Sequence, residues 1–191
     1  RLMDTDVLKG GFSNAPVQSA QAFRAIMTVL ARPGEILGVQ GAMPPAPLSV
    51  AAGVALITLC DPETPLFLAG AWDCPEVRKW IAFHIGAPVV PRAQAHFAVG
   101  SWKDFGPVTD FAIGTPQYPD RSATLIVELE TLSTDGPVLR GPGIKTHTTL
   151  SLPEVETFQA NATLFPLGLD FLFTSGASIA GLPRTTKVEA N

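Results

Sequence analysis

Between Pro16 and Leu30, Val17, Ala20, Phe23, Ile26, Met27 and Leu30 recur at three- and four-residue steps, which predicts a helix turning one apolar face to a core. Arg32-Pro33-Gly34 ends it, since proline and glycine both break the helical pattern. Glu35 to Val39 then reads as a short strand and the Pro-rich stretch Met43 to Pro47 as a loop. Leu48 to Cys60 is apolar on nearly every side, so the pattern predicts a central helix buried all round.

Pro65 to Ala69 fits a buried strand. Pro75 to Ile85 fits a second amphipathic helix, carrying Val77, Trp80 and Ile81, with Asp73 as its N-cap and Gly86 as its stop. His96 to Val99 reads as a strand, Lys103 to Ala112 as a weak helix, and Ser122 to Leu132 as the longest strand. Val138 to Arg140 is expected to pair with that strand through the turn Thr134-Asp135-Gly136-Pro137. Pro153 to Asn161 is a short helix with Glu154 and Glu156 in its first turn, where the helix dipole favours acids. Two strands, Asp170 to Thr174 and Ser178 to Leu182, close on the turn Ser175-Gly176-Ala177. Helices alternating with strands early and hairpins late predict an α/β fold with a mixed sheet and helices packed on it, in one domain over residues 1–191.

The chain has 191 residues, 46% of them hydrophobic and 16% charged, enough apolar surface for a sizeable core with some left over for contact with another chain. A net charge of −4 gives no basic footprint for nucleic acid. Cys60 and Cys74 build no disulfide framework and match no zinc or redox spacing, which suits a reducing cytoplasm. Arg1 to Gly10 shows no apolar core followed by a cleavage site, and no stretch reaches the roughly 18 apolar residues of a membrane span.

Candidate chemistry is sparse. There is no phosphate-binding loop, no dinucleotide fingerprint and no nucleophile elbow, and His84, His96 and His147 lie in separate segments without carboxylates at metal-ligand spacing. Two basic turns stand out. Arg140-Gly141-Pro142-Gly143-Ile144-Lys145-Thr146 offers glycine amides and two cations to an anion such as a phosphate or phosphonate, and equally suits a tight turn at a strand end. Pro183-Arg184-Thr185-Thr186-Lys187 places a guanidinium, two hydroxyls and an ammonium together, and equally suits an exposed strand end. The candidate anion-binding residues are therefore Arg140, Gly141, Gly143, Arg184, Thr185 and Thr186; no catalytic or metal-binding residue is assigned.

Phe165-Pro166-Leu167-Gly168-Leu169-Asp170, followed by Leu182-Pro183-Arg184-Thr185-Thr186-Lys187-Val188-Glu189, resembles the C-terminal signature of the PhnH family, a subunit of the carbon–phosphorus lyase complex. Leu139-Arg140-Gly141-Pro142-Gly143-Ile144 is similar to that family's central turn, and Ala22-Phe23-Arg24 with Arg32-Pro33-Gly34 to its opening helix and turn. The resemblance implies a fold like that of pyridoxal-phosphate-dependent transferases, a homodimer, and assembly with the PhnG, PhnI and PhnJ subunits. In that system the phosphonate is attached to ribose triphosphate, and PhnJ later breaks the carbon–phosphorus bond by a radical mechanism using an iron–sulfur cluster and S-adenosylmethionine. This chain has too few cysteines for a cluster. A pyridoxal phosphate site would need a Schiff-base lysine, nominally Lys145 or Lys187, and an acid such as Asp170. The chain is much shorter than such enzymes and likeness of fold does not carry function, so no cofactor is expected. The expected role is a structural subunit, inactive alone, with an anion pocket at the dimer interface as the second reading.

Overall fold

The longest apolar runs form the centre of a sheet covered on both sides. A computed structural model describes residues 9–190. Helix α1 (Ala15–Ala31) leads through the two-residue strand β1 (Leu37–Gly38) to α2 (Val50–Leu59), followed by β2 (Leu66–Leu68), α3 (Pro75–His84) and β3 (Phe97–Ser101). Strand β4 (Thr124–Glu128) comes next, then β5 (Val138–Arg140), β6 (Thr148–Thr149), α4 (Glu156–Ala162), β7 (Asp170–Ser175), β8 (Ser178–Leu182) and β9 (Lys187–Glu189).

Six strands pair in the order β1-β8-β7-β4-β3-β2. Strands β2, β3, β4 and β7 are parallel, while β8 and β1 return antiparallel, so the sheet is mixed as the pattern predicted. Alternation along the strands divides the core. Ile126, Leu172 and Ile179 face α1, α2 and α3, whereas Leu125, Val127, Phe171, Phe173 and Ala180 face the other layer, with Phe105, Phe158, Leu139 and Val188. Helix α2 is buried from Ala51 to Leu56, as its all-round apolar run requires.

Several expectations are corrected. Val138 to Arg140 does not pair with the strand before it; β5 lies between β6 and β9 in a separate three-stranded sheet, with Leu139 opposite both Thr148 and Val188. The connection after β4 carries the chain across the sheet face, and Leu139, fully buried, packs there with Leu150 and Phe158. Strand Ser122 to Leu132 is regular only over β4, and Glu35 to Val39 only over β1. Lys103 to Ala112 forms two short 3-10 turns, Trp102–Phe105 and Val108–Asp110, separated by Gly106-Pro107, where Gly106 takes φ +67°. The short helix begins at Glu156, not Pro153. Asp73 does not cap α3: Cys74 occupies that position, and the Asp73 carboxylate instead accepts from Arg78 at 2.5 Å.

Helix α1 turns a different face inward from the one its spacing suggests. Ala22, Ile26 and Val29 are buried, while Val17, Phe23 and Met27 are 50%, 52% and 40% exposed. The cause is close approach to β8. A Cβ on Gly181 would lie 2.7 Å from the Val29 carbonyl oxygen, so only the slim face carrying Ala22 and Ala25 fits against the sheet.

Candidate functional site

The two basic turns meet. Strand β5 pairs with β9, which sets Arg140 opposite Lys187, and a Cβ on Gly141 would lie 3.0 Å from the Thr185 carbonyl oxygen. Gly143 is pressed against the end of α1 so closely that a Cβ there would sit 1.8 Å from the Ala31 carbonyl oxygen, at φ +82°. Arg140, Gly141, Gly143, Thr185 and Thr186 therefore share one region.

Their two arginines are engaged within the fold. Exposed Arg140 donates from Nε to Glu189 at 2.8 Å and from one terminal nitrogen to the Thr146 carbonyl at 3.0 Å. Arg184 is far more enclosed, its side chain only 13% exposed. It donates to both oxygens of Asp170, at 3.3 and 2.8 Å, to the carbonyls of Pro119 and Pro166, and to the Ser122 hydroxyl. The Arg184 backbone amide also binds Asp170, at 2.9 Å. A planar fork with several fixed donors suits such multiple binding. Asp170, the nominal partner for a pyridine nitrogen, is thus held by Arg184. The Thr186 hydroxyl is buried without a hydrogen-bond partner, while Lys187 is exposed.

A second constellation was invisible to motif reasoning. Glu128 ends β4 at the carboxyl edge of the parallel strands, where open α/β sheets place their clefts. It is 9% exposed and accepts four hydrogen bonds. The donors are the Ser49 amide at 2.7 Å, the Ser49 hydroxyl at 2.5 Å, the Trp72 indole at 3.3 Å and the Thr174 hydroxyl. Ser49 also N-caps α2, its oxygen accepting from the Ala52 amide at 3.0 Å. Above them opens a cleft of about 390 Å³, bordered by Pro47, Trp72, Lys103, Asp104 and Glu130. A lone carboxylate within the apolar run Leu125 to Leu129 was the available signal, because a charge placed there must be satisfied by partners.

Chemically this arrangement binds its own atoms. Four donors match the four lone-pair sites of a carboxylate, so Glu128 has no free acceptor for a substrate proton. The Ser49 hydroxyl likewise donates to Glu128 and accepts from the Ala52 amide, so it is held within the fold. Among the described residues no group of three His, Cys, Asp or Glu is placed to hold a metal ion, and no helix is long and apolar enough to cross a membrane. Both cysteines are free; burial, with a smaller push from Asp61, raises the Cys60 thiol to about 12.

The family model described as bacterial phosphonate metabolism protein (PhnH) matches residues 10–189. A curated relative from Rhizobium meliloti (strain 1021), the alpha-D-ribose 1-methylphosphonate 5-triphosphate synthase subunit PhnH, is 40% identical over 194 residues, covering 97% of each chain. HtxG of Stutzerimonas stutzeri, named as a candidate C-P lyase subunit, is 28% identical over 182 residues, covering 91% of this chain and 87% of the relative.

Proposed function

Because the chain belongs to the PhnH family of bacterial phosphonate metabolism proteins, we propose that it is a subunit of the carbon–phosphorus lyase assembly in phosphonate catabolism. The observation that carries this is the 40% identity, over 97% of both chains, to a subunit of alpha-D-ribose 1-methylphosphonate 5-triphosphate synthase. In this reading the chain supports transfer of the phosphonate to ribose triphosphate by assembly and not by chemistry of its own. The spent hydrogen-bonding capacity of Glu128, Ser49 and Arg184 supports that division of labour.

The finer parts of the proposal are a cytoplasmic homodimer, association with the PhnG, PhnI and PhnJ subunits, and a fold related to pyridoxal-phosphate-dependent transferases. The run of four parallel strands with α1, α2 and α3 on one face and α4 on the other supports the last of these. The chain is read as one domain, supported among the described residues by the close approach of Gly143 to the Ala31 carbonyl at the end of α1, which joins the small sheet to the rest. Affinity purification of the tagged chain co-expressed with PhnG, PhnI and PhnJ tests the role. All four should elute together; elution of this chain alone would refute it.

The contact between the two basic turns favours a second reading, in which Arg140, Gly141, Gly143, Arg184, Thr185 and Thr186 hold a phosphate or phosphonate. An anion there competes with Glu189 for Arg140 and with Asp170 for Arg184. Calorimetric titration with ribose 5-phosphate and methylphosphonate checks it: heat that disappears in Arg140→Ala supports the pocket, and no heat at millimolar ligand removes it.

A further inference from the structure

The cleft above Glu128 carries charges that the fold itself does not neutralise. It lies at the carboxyl edge of the parallel strands, holds about 390 Å³, and is lined by the charged residues Lys103, Asp104, Glu128 and Glu130 and by Trp72. Glu128 is satisfied by its four donors, one of them the Trp72 indole, so these two residues form a fixed wall. The other three charges are held in place by neighbours that leave them charged. Phe105, fully buried, and Trp102, whose indole donates to Glu154 at 2.6 Å, anchor the 3-10 turn that carries Lys103 and Asp104. Asp104 accepts from the Ser101 hydroxyl at 2.7 Å and lies so close over Gly70 that a Cβ there would stand 2.5 Å from its carboxyl carbon. Just past β4, the Leu129 amide donates to the Thr174 carbonyl and the Ser175 hydroxyl to the Glu130 carbonyl, which fixes the backbone beneath the Glu130 carboxylate. Lys103 and Glu130 are exposed, and neither takes part in an ion pair among the described residues.

We propose that this cleft binds a small zwitterion, a molecule with an ammonium group and a carboxylate or phosphonate joined by a short carbon chain. The ammonium is received by Asp104 and Glu130, and the anionic end by Lys103. The charge balance selects this class. Three carboxylates against one ammonium repel a simple anion, and Lys103 opposes a simple cation. A molecule bearing both charges satisfies each side, while Pro47 and Trp72 offer apolar surface to the carbon chain between them. Binding of this kind asks for no base and no nucleophile, in keeping with the hydrogen bonds that already hold Ser49 and Glu128. The cleft shares no residue with the two basic turns, so it is a separate site from the anion pocket considered above. Nor does it depend on the assembly role: failure to co-purify with partner subunits leaves it standing.

Isothermal titration calorimetry of the full chain tests this with β-alanine and 2-aminoethylphosphonate, beside propionate and ethylphosphonate, which lack the ammonium, and propylamine, which lacks the anion. At least one zwitterion should bind at millimolar concentration or below, and the ratio of the two names the preferred anion. The single-charge compounds should bind at least about fivefold more weakly, the scale of one partly exposed ion pair. Lys103→Gln and Asp104→Asn should each weaken zwitterion binding by a similar factor, with circular dichroism showing both folded. Arg121→Gln, which alters an exposed cation stacked on Tyr118 elsewhere on the surface, should bind like wild type. Should Asp104→Asn unfold through its contacts with Ser101 and Gly70, Glu130→Gln takes its place. No heat from either zwitterion at millimolar concentration would overturn the proposal, as would equal binding of propionate, ethylphosphonate or propylamine. Binding that survives Lys103→Gln and Asp104→Asn but disappears in Arg140→Ala would place the ligand at the basic turns and overturn it too.

Discussion

The backbone amide of Ser49 donates to the Glu128 carboxylate at 2.7 Å, tying the first turn of α2 to the carboxyl end of β4 across 79 residues of chain. Because the Ser49 hydroxyl reaches the same carboxylate at 2.5 Å, a helix cap and a sheet edge are secured by one pair of residues. Trp72, on the short turn after β2, and Thr174 of β7 join the same knot.

Replacing Glu128 by Gln keeps the shape but exchanges one acceptor oxygen for a donor, which then faces donors. Glu128→Gln should destabilise the fold by about 2–4 kcal/mol, and Ser49→Ala by about 1–2 kcal/mol, through loss of the cap and one carboxylate bond. Urea unfolding measures both. Equal, negligible losses would show that the knot contributes nothing to stability.

Arg184→Lys separates a structural cation from a ligand-binding one. An ammonium can stay near Asp170 but cannot also serve the carbonyls of Pro119 and Pro166 and the Ser122 hydroxyl from one fixed fork. A loss of about 2–4 kcal/mol in ligand-free protein is expected, since several enclosed acceptors go unpaired. Unchanged stability with lost binding of methylphosphonate would instead place Arg184 in an anion site.

Elements whose pattern allowed one environment were legible in the sequence. Leu48 to Cys60, apolar all round, could only be buried, and the turn Ser175-Gly176-Ala177 between Asp170 to Thr174 and Ser178 to Leu182 specified a hairpin. Elements with two acceptable environments were not. Helix α1 is apolar on both sides, and the choice fell to Gly181, a neighbour about 150 residues away that helical spacing does not encode. Strand β5 followed a good hairpin turn, yet its buried Leu139 found a partner in β9, across a separation that local turn chemistry does not report. The candidate turns show the same limit: their convergence depends on that pairing, as does the engagement of Arg140 by Glu189. Glu128 belongs to no motif, and its role emerged only once Ser49, Trp72 and Thr174 surrounded it.

The two thiols should differ in chemistry. Cys60 is buried and its thiol is pushed from an ordinary 9.0 to about 12, so it stays protonated and shielded while Cys74, partly exposed, is open to reagent. At pH 8 a thiol-specific dye should label one cysteine promptly and the second only after unfolding. The raised value also fixes a pH effect. Unfolded chain ionises at its ordinary value, so this contribution is complete below about pH 9 and declines as pH rises toward 12. Cys60→Ala should show a shallower alkaline loss of stability than wild type. Identical alkaline profiles would remove Cys60 as a cause.

The glycines of the central turn differ in how little room they have, and this sets an order of damage. At Gly143 an added Cβ would stand 1.8 Å from the Ala31 carbonyl oxygen, a backbone atom fixed at the end of α1, and φ is +82°. Something must shift, and a side chain at positive φ adds strain; Gly143→Ala is therefore expected to cost roughly 2–4 kcal/mol. At Gly141 φ is +141°, so a side chain there is strained too, but the nearest atom lies 3.0 Å away, a contact that a small movement of the Thr185 peptide relieves; Gly141→Ala should therefore be destabilising with a smaller clash contribution than Gly143→Ala. Thermal unfolding of the two variants without ligand gives the comparison. If both instead unfold like wild type but lose a phosphonate-induced rise in Tm, the glycines serve an anion and not the packing of the turn against α1.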